Sequence, residues 1–127
     1  MGLGINWFKD YEILDAGETY NTFGFCSYDN YSINFIDCDS TSHSYGNVSL
    51  VTDLFEKVIG KSFPKLPNEE CIDSKDYKLN LIKPEEMSKY CEKILSGTEV
   101  DKIDMRDRFE WFKSLSDKGY YIAYDWQ

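Results

Sequence analysis

The chain has one histidine, His43, and four cysteines, at 26, 38, 71 and 91, none of them in a C-x-x-C pair. A structural zinc site draws four Cys or His ligands at close spacing, so a zinc centre of the usual kind is disfavoured and no metal or other cofactor is expected. The cysteines read as free thiols of a reducing cytosol, packing mostly as small apolar groups. No run of about 18 apolar residues occurs, so no membrane-spanning helix is expected. The opening MGLGINWFKDYEIL has no basic region followed by an apolar one, which argues against a signal peptide. Asn6 stands where a myristoylation signal needs Ser or Thr. The expectation is a cytoplasmic protein, in which the glycosylation-like triplets at Asn30 and Asn47 are chance matches.

The most uneven scarcity is that of basic residues. Between Lys9 and Lys57 there is no Lys or Arg. Residues 1 to 56 hold nine acids (Asp10, Glu12, Asp15, Glu18, Asp29, Asp37, Asp39, Asp53 and Glu56) against Lys9 alone, a net charge of −8. Residues 57 to 127 hold fourteen acids and thirteen bases, so almost all of the chain's −9 lies in the first part. Phosphate contacts need Lys and Arg, so direct nucleic-acid binding by that part is disfavoured, as is docking on anionic lipid. A basic surface on another protein is favoured.

What is present is ample apolar and aromatic material. At 127 residues with 42% apolar side chains, a single domain over 1–127 can bury a core without disulfides or metal. Three N-terminal segments read as an antiparallel meander: INWFKDYEIL, with Ile5, Trp7, Tyr11 and Ile13 on one parity, then TYNTFGFCSY, then YSINFI. DCDSTSHSYGN reads as a polar loop. A helix is predicted over 49–59, capped by Ser49 and closed by Gly60, and a short strand near 77–82. A second helix over 84–96 starts with Pro84, Glu85 and Glu86 and buries Met87, Tyr90, Cys91 and Ile94. A third over 101–118 follows a Thr98–Asp101 capping pattern and turns Met105, Phe109, Phe112 and Leu115 inward. A final strand near 120–126 alternates. The fold class is α+β, an antiparallel sheet with about three helices on one side.

One stretch invites a catalytic reading. FIDCDSTSH places Asp37-x-Asp39-x-Thr41 after two apolar residues, which resembles the nucleophile motif of haloacid-dehalogenase-type phosphotransferases. The resemblance implies Asp37 as nucleophile, Asp39 as general acid and a Mg²⁺ ion held by carboxylates. In those families, however, the preceding strand is central in a parallel sheet and continuously apolar, whereas YSINFI alternates. A Cys38–His43 nucleophile pair suffers from the flanking aspartates, which raise rather than lower a thiol pKa. The reading adopted is therefore non-enzymatic, with no catalytic residues assigned. We expect a small acidic binding or inhibitor protein that docks on a basic, nucleic-acid-binding protein through Asp10, Glu12, Asp15, Glu18, Asp29, Asp37 and Asp39. A phage anti-defence protein or a toxin-immunity protein would have this character. A small-molecule or nucleotide-binding module is the alternative, with Arg106 or Arg108 as phosphate ligand. The C-terminal strand offers an edge for pairing with a second copy.

Overall fold

A computed structural model describes residues 2–17, 30–67, 72 and 74–126. Two strands, β1 (Gly2–Phe8) and β2 (Asp10–Gly17), run from the N-terminus; β3 (Asn30–Ile36) and β4 (Asp39–Ser44) return alongside them. Among the described residues four helices follow: α1 (Tyr45–Ile59), α2 (Pro84–Leu95), α3 (Glu99–Lys102) and α4 (Arg106–Asp117). A last strand, β5, covers Tyr121–Trp126. The architecture is α+β. One antiparallel sheet has the order β4-β1-β5, and a second pairs β2 with β3.

The two sheets are joined by one bent ribbon. Pairing runs from Gly2–Ser44 to Trp7–Asp39, then resumes without a slip in register from Asp10–Ile36 to Asp15–Tyr31. Phe8 and Lys9 on one side, and Asp37 and Cys38 on the other, fall between the two ladders. Asp37 has a φ of 51°, the left-handed region that an aspartate tolerates better than most residues. The Lys9 N–H still reaches the Ile36 carbonyl at 2.9 Å.

This bend corrects the parity expected for INWFKDYEIL. Ile5 and Trp7 face the helices, while Tyr11 packs in a second cluster on the other face of the central sheet. It also corrects the polar loop. DSTSHS is strand β4, held by backbone pairing to β1 and not by apolar alternation. The segment TYNTFGFCSY of the expected meander lies outside the described residues.

The main core gathers Ile5 of β1 with Val48, Val51, Leu54 and Phe55 of α1, Met87, Cys91 and Ile94 of α2, Phe109, Phe112 and Leu115 of α4, and Ile122 of β5. The second cluster places Phe8 and Ala123 against Leu66, Leu79, Tyr11, Ile33 and Phe35. The segment near 77–82 is not a strand. Tyr77, Leu79 and Leu81 alternate onto the second cluster, but no ladder forms beside them.

The helices depart from expectation at their ends. Ser49 lies inside α1 and contacts Asp53, so it is not the cap; Gly60, with φ at 79°, does close the helix. Leu50 is exposed. The span 101–118 is two helices, because Asp104, at φ 55°, turns the chain between α3 and α4. The Thr98 side chain makes no cap bond. Asp101 instead receives Arg106 Nε and Nη2 at 2.7 and 2.9 Å, and Arg106 Nη1 also donates to the Leu95 carbonyl at 3.0 Å. That guanidinium holds the Asp101 carboxyl below the ordinary carboxylate range and ties the end of α2 to the start of α4.

The outer side of β5 is already in use. The Tyr124 N–H donates to the Pro64 carbonyl at 3.0 Å, and the Leu66 N–H donates to the Tyr124 carbonyl at 2.8 Å. A second copy pairing along the whole strand would have to displace residues 64–66.

Candidate interaction surface

The β2–β3 ribbon has an inner and an outer face because side chains alternate along a strand. Tyr11, Ile33 and Phe35 are turned inward onto the second cluster. Asp10, Glu12 and Leu14 occupy the other face of β2, opposite Ile36, Asn34 and Ser32 of β3. Asp10 and Glu12 are exposed, and Asn34 Nδ2 donates to Glu12 Oε1 at 2.8 Å. Leu14 and Ile36 are 42% and 41% exposed; they share this face but lie at its two ends, with the Glu12–Asn34 pair between them.

The structure brings together only some of the acids singled out from the sequence. Asp10 and Glu12 share the outer face, and exposed Asp37 lies at the bend beside Ile36. Asp15 has the opposite parity, next to an irregularity in the ladder at Asp15/Gly17. Asp39 sits opposite Trp7 in the central sheet, whose indole belongs to the helical core. Glu18 and Asp29 lie outside the described residues. Among the described residues, Asp10, Glu12, Asp37 and Asp39 enter no ion pair. The four ion pairs formed by Lys57, Lys102, Arg106 and Lys113 all use Glu99, Asp101 or Asp117.

Lys9, the one base in the acidic part, is committed elsewhere. Its Nζ donates to the Lys118 carbonyl just past α4 and lies 4.3 Å from the centre of the Tyr120 ring. A cation at a helix C-terminus and over an aromatic face is stabilised by both.

Sequence reasoning missed that the second part of the chain supplies bases to this region. Residues 75–78 lie along β2, and Lys75, Asp76, Tyr77 and Lys78 line a groove of about 410 Å³ with Asp10, Tyr11, Glu12 and Ile13. The clean split into −8 and −1 is a property of the sequence order and not of the surface. The Tyr11 hydroxyl accepts the Leu79 N–H at 3.0 Å and fixes this segment in place. Tyr11→Phe leaves that N–H without its partner and should cost about 1 kcal/mol. Urea unfolding of the two proteins measures it, and an unchanged midpoint would show that the bond adds nothing.

The exposure of Leu14 and Ile36 was legible in principle. In KDYEIL, Leu14 shares the parity of Asp10 and Glu12, and an aliphatic residue on a charged parity is the signal.

The catalytic reading of Asp37 and Asp39 meets a different setting from the one its motif requires. β3 pairs antiparallel with β2 in a two-stranded sheet, and β4 pairs antiparallel with β1. The His43 side chain is outside what the structure describes. Among the described residues, no three of His, Cys, Asp and Glu are grouped to hold a metal ion. Cys38 is an exposed free thiol and Cys91 a buried one; Cys26 and Cys71 are outside the described residues. No described helix is long and apolar enough to cross a membrane.

Comparison with protein families, characterised proteins and solved structures yields no match.

Proposed function

We propose that this chain is a non-enzymatic cytoplasmic binding protein whose β2–β3 outer face docks on a basic surface of another protein. The observation that supports this reading is the combination on one face: Asp10 and Glu12, without ion pairs among the described residues, flanked by exposed Ile36 at one end and exposed Leu14 at the other. Carboxylates there attract Lys and Arg over a Debye length and set the orientation of approach. Ile36 and Leu14, one at each end of the face, supply separate apolar contacts beside the carboxylates. A surface that normally holds nucleic-acid phosphates is the kind of basic surface such a face would occupy, its carboxylates standing in for the phosphates. Occupation of that surface is an inhibitory act, of the kind a phage anti-defence or toxin-immunity protein performs.

The test uses the chain immobilised in a lysate of its native host at 50 mM salt, followed by purification of the captured protein and kinetic measurement on the pure pair. The double variant Asp10→Lys/Glu12→Lys should slow association about tenfold, and wild-type association should slow steeply by 0.5 M salt. Leu14→Ser should instead speed dissociation. A complex indifferent to 0.5 M salt and to the double reversal would end this reading.

A further inference from the structure

The chain has two arginines, and the structure gives them different work. Arg106 is spent on Asp101 and on the carbonyl of Leu95. Arg108 lines a pocket of about 330 Å³ between β4 and α4, together with Thr41, Asp107 and Trp111. That volume is at the lower end of what small-molecule sites occupy, roughly 300–1,000 Å³.

The aromatic wall of the pocket is fixed before any ligand arrives. The Trp111 ring meets the Trp7 ring edge-on at 5.1 Å and the Phe112 ring at 5.5 Å. A wall held in place by the core loses little freedom on binding. Arg108 and Trp111 are three residues apart on α4 and so share a face. The guanidinium carbon is 6.0 Å from the Trp111 ring centre. Burial pushes the Arg108 pKa down from its ordinary value, yet the group remains charged at any physiological pH. A partly dehydrated guanidinium attracts an anion more strongly than one in bulk water. Its five N–H donors allow it to serve an anion while keeping contacts inside the protein. Asp107, beside Arg108 on the same helix, is exposed and only accepts hydrogen bonds when ionised, and the Thr41 hydroxyl of β4 can donate or accept.

From these parts we infer that the β4–α4 pocket binds a planar aromatic amine that carries an anionic group, the chemistry of an aminopurine nucleotide. The ring stacks on Trp111, the anion meets Arg108, and Asp107 accepts from the amine. This site is separate from the β2–β3 face, so its failure and the failure of the docking reading are distinguishable.

Titration of the full chain with adenosine monophosphate, adenosine and inorganic phosphate, read by tryptophan fluorescence and thermal shift, tests the site. The nucleotide should quench fluorescence saturably, with a Kd on the order of 1 mM or tighter, and adenosine should bind about tenfold more weakly. Arg108→Gln should bring nucleotide binding down to the level of adenosine while leaving adenosine itself within about twofold. Arg108→Lys, which keeps the charge and loses the fork, should fall between them. Thermal unfolding of each variant without ligand establishes that it folds. Absence of saturation by about 10 mM, equal affinity for the nucleotide and adenosine, or an Arg108→Gln protein that binds the nucleotide like wild type would each overturn the inference.

Discussion

Phe112→Ala should lower the stability of the fold by about 3–5 kcal/mol. Phe112 is fully buried and touches three other rings: Phe63 at 5.5 Å, Phe109 at 5.6 Å and Trp111 at 5.5 Å. It belongs to the cluster in which α1, α2 and α4 meet β1 and β5, so its removal opens a cavity that no single neighbour can fill. A domain of this size has a total stability of about 5–15 kcal/mol, so the loss is a large share of the whole. Phe112→Leu keeps most of the volume and should cost much less. Chemical denaturation of the three proteins decides the matter. A cost below about 1 kcal/mol for the alanine variant would mean that the helices do not pack on the sheet as described.

The second large effect depends on pH. Cys91 is buried on α2, and burial pushes its thiol pKa up to about 12; Asp117 adds to the shift and Lys113 opposes it. In the unfolded chain the same thiol titrates near 8.5, at about the ordinary value. Between these values the folded protein keeps a proton that the unfolded chain has released, so stability must fall as pH rises through this window. The contribution is fully present below about pH 8.5; above that, stability falls by about 1.4 kcal/mol for each pH unit, a loss on the order of 2 kcal/mol by pH 10. Tyrosines and lysines titrate in the same range, so the quantity to measure is the difference between wild type and Cys91→Ala. The two unfolding free energies should converge between pH 8 and pH 10. Parallel curves would show that the thiol is not held away from water.

Several parts of this fold could be read without coordinates, and they share a cause. α2 has Pro84 at its first position, acids in its first turn and Met87, Tyr90, Cys91 and Ile94 on one stripe; Met87, Cys91 and Ile94 are buried and Tyr90 is half-buried. β5 alternates, and Ile122 is buried within it. In both elements the same local pattern that favours the backbone conformation also provides the buried face, so propensity and packing point the same way.

Other features were decided by long-range contact. Nothing in DSTSHS favours a strand, yet it is one, because β1 offers it a ladder in register and an edge strand does not need an apolar face of its own. YKLNLI has the alternation of a strand and stays outside any ladder: its apolar side chains find the second cluster, and the Leu79 N–H is taken by the Tyr11 hydroxyl and not by a strand backbone. The parity of INWFKDYEIL is broken by the bend at Lys9 and Asp37, which gives Phe8 and Tyr11 a common core.

The acidic surface shows the same division. The sequence alone determined that charge is concentrated between residues 10 and 56, since charge is additive and needs no fold. Only the tertiary structure decided which acids act together. It placed Asp10 and Glu12 on one face, turned Asp15 and Asp39 elsewhere, committed Lys9 to the end of α4, and brought Lys75 and Lys78 alongside β2. Asp37 and Asp39 differ for a related reason. Two residues apart in an unbroken strand, their side chains would share one face; here the left-handed backbone at Asp37 ends one ladder before Asp39 begins the next.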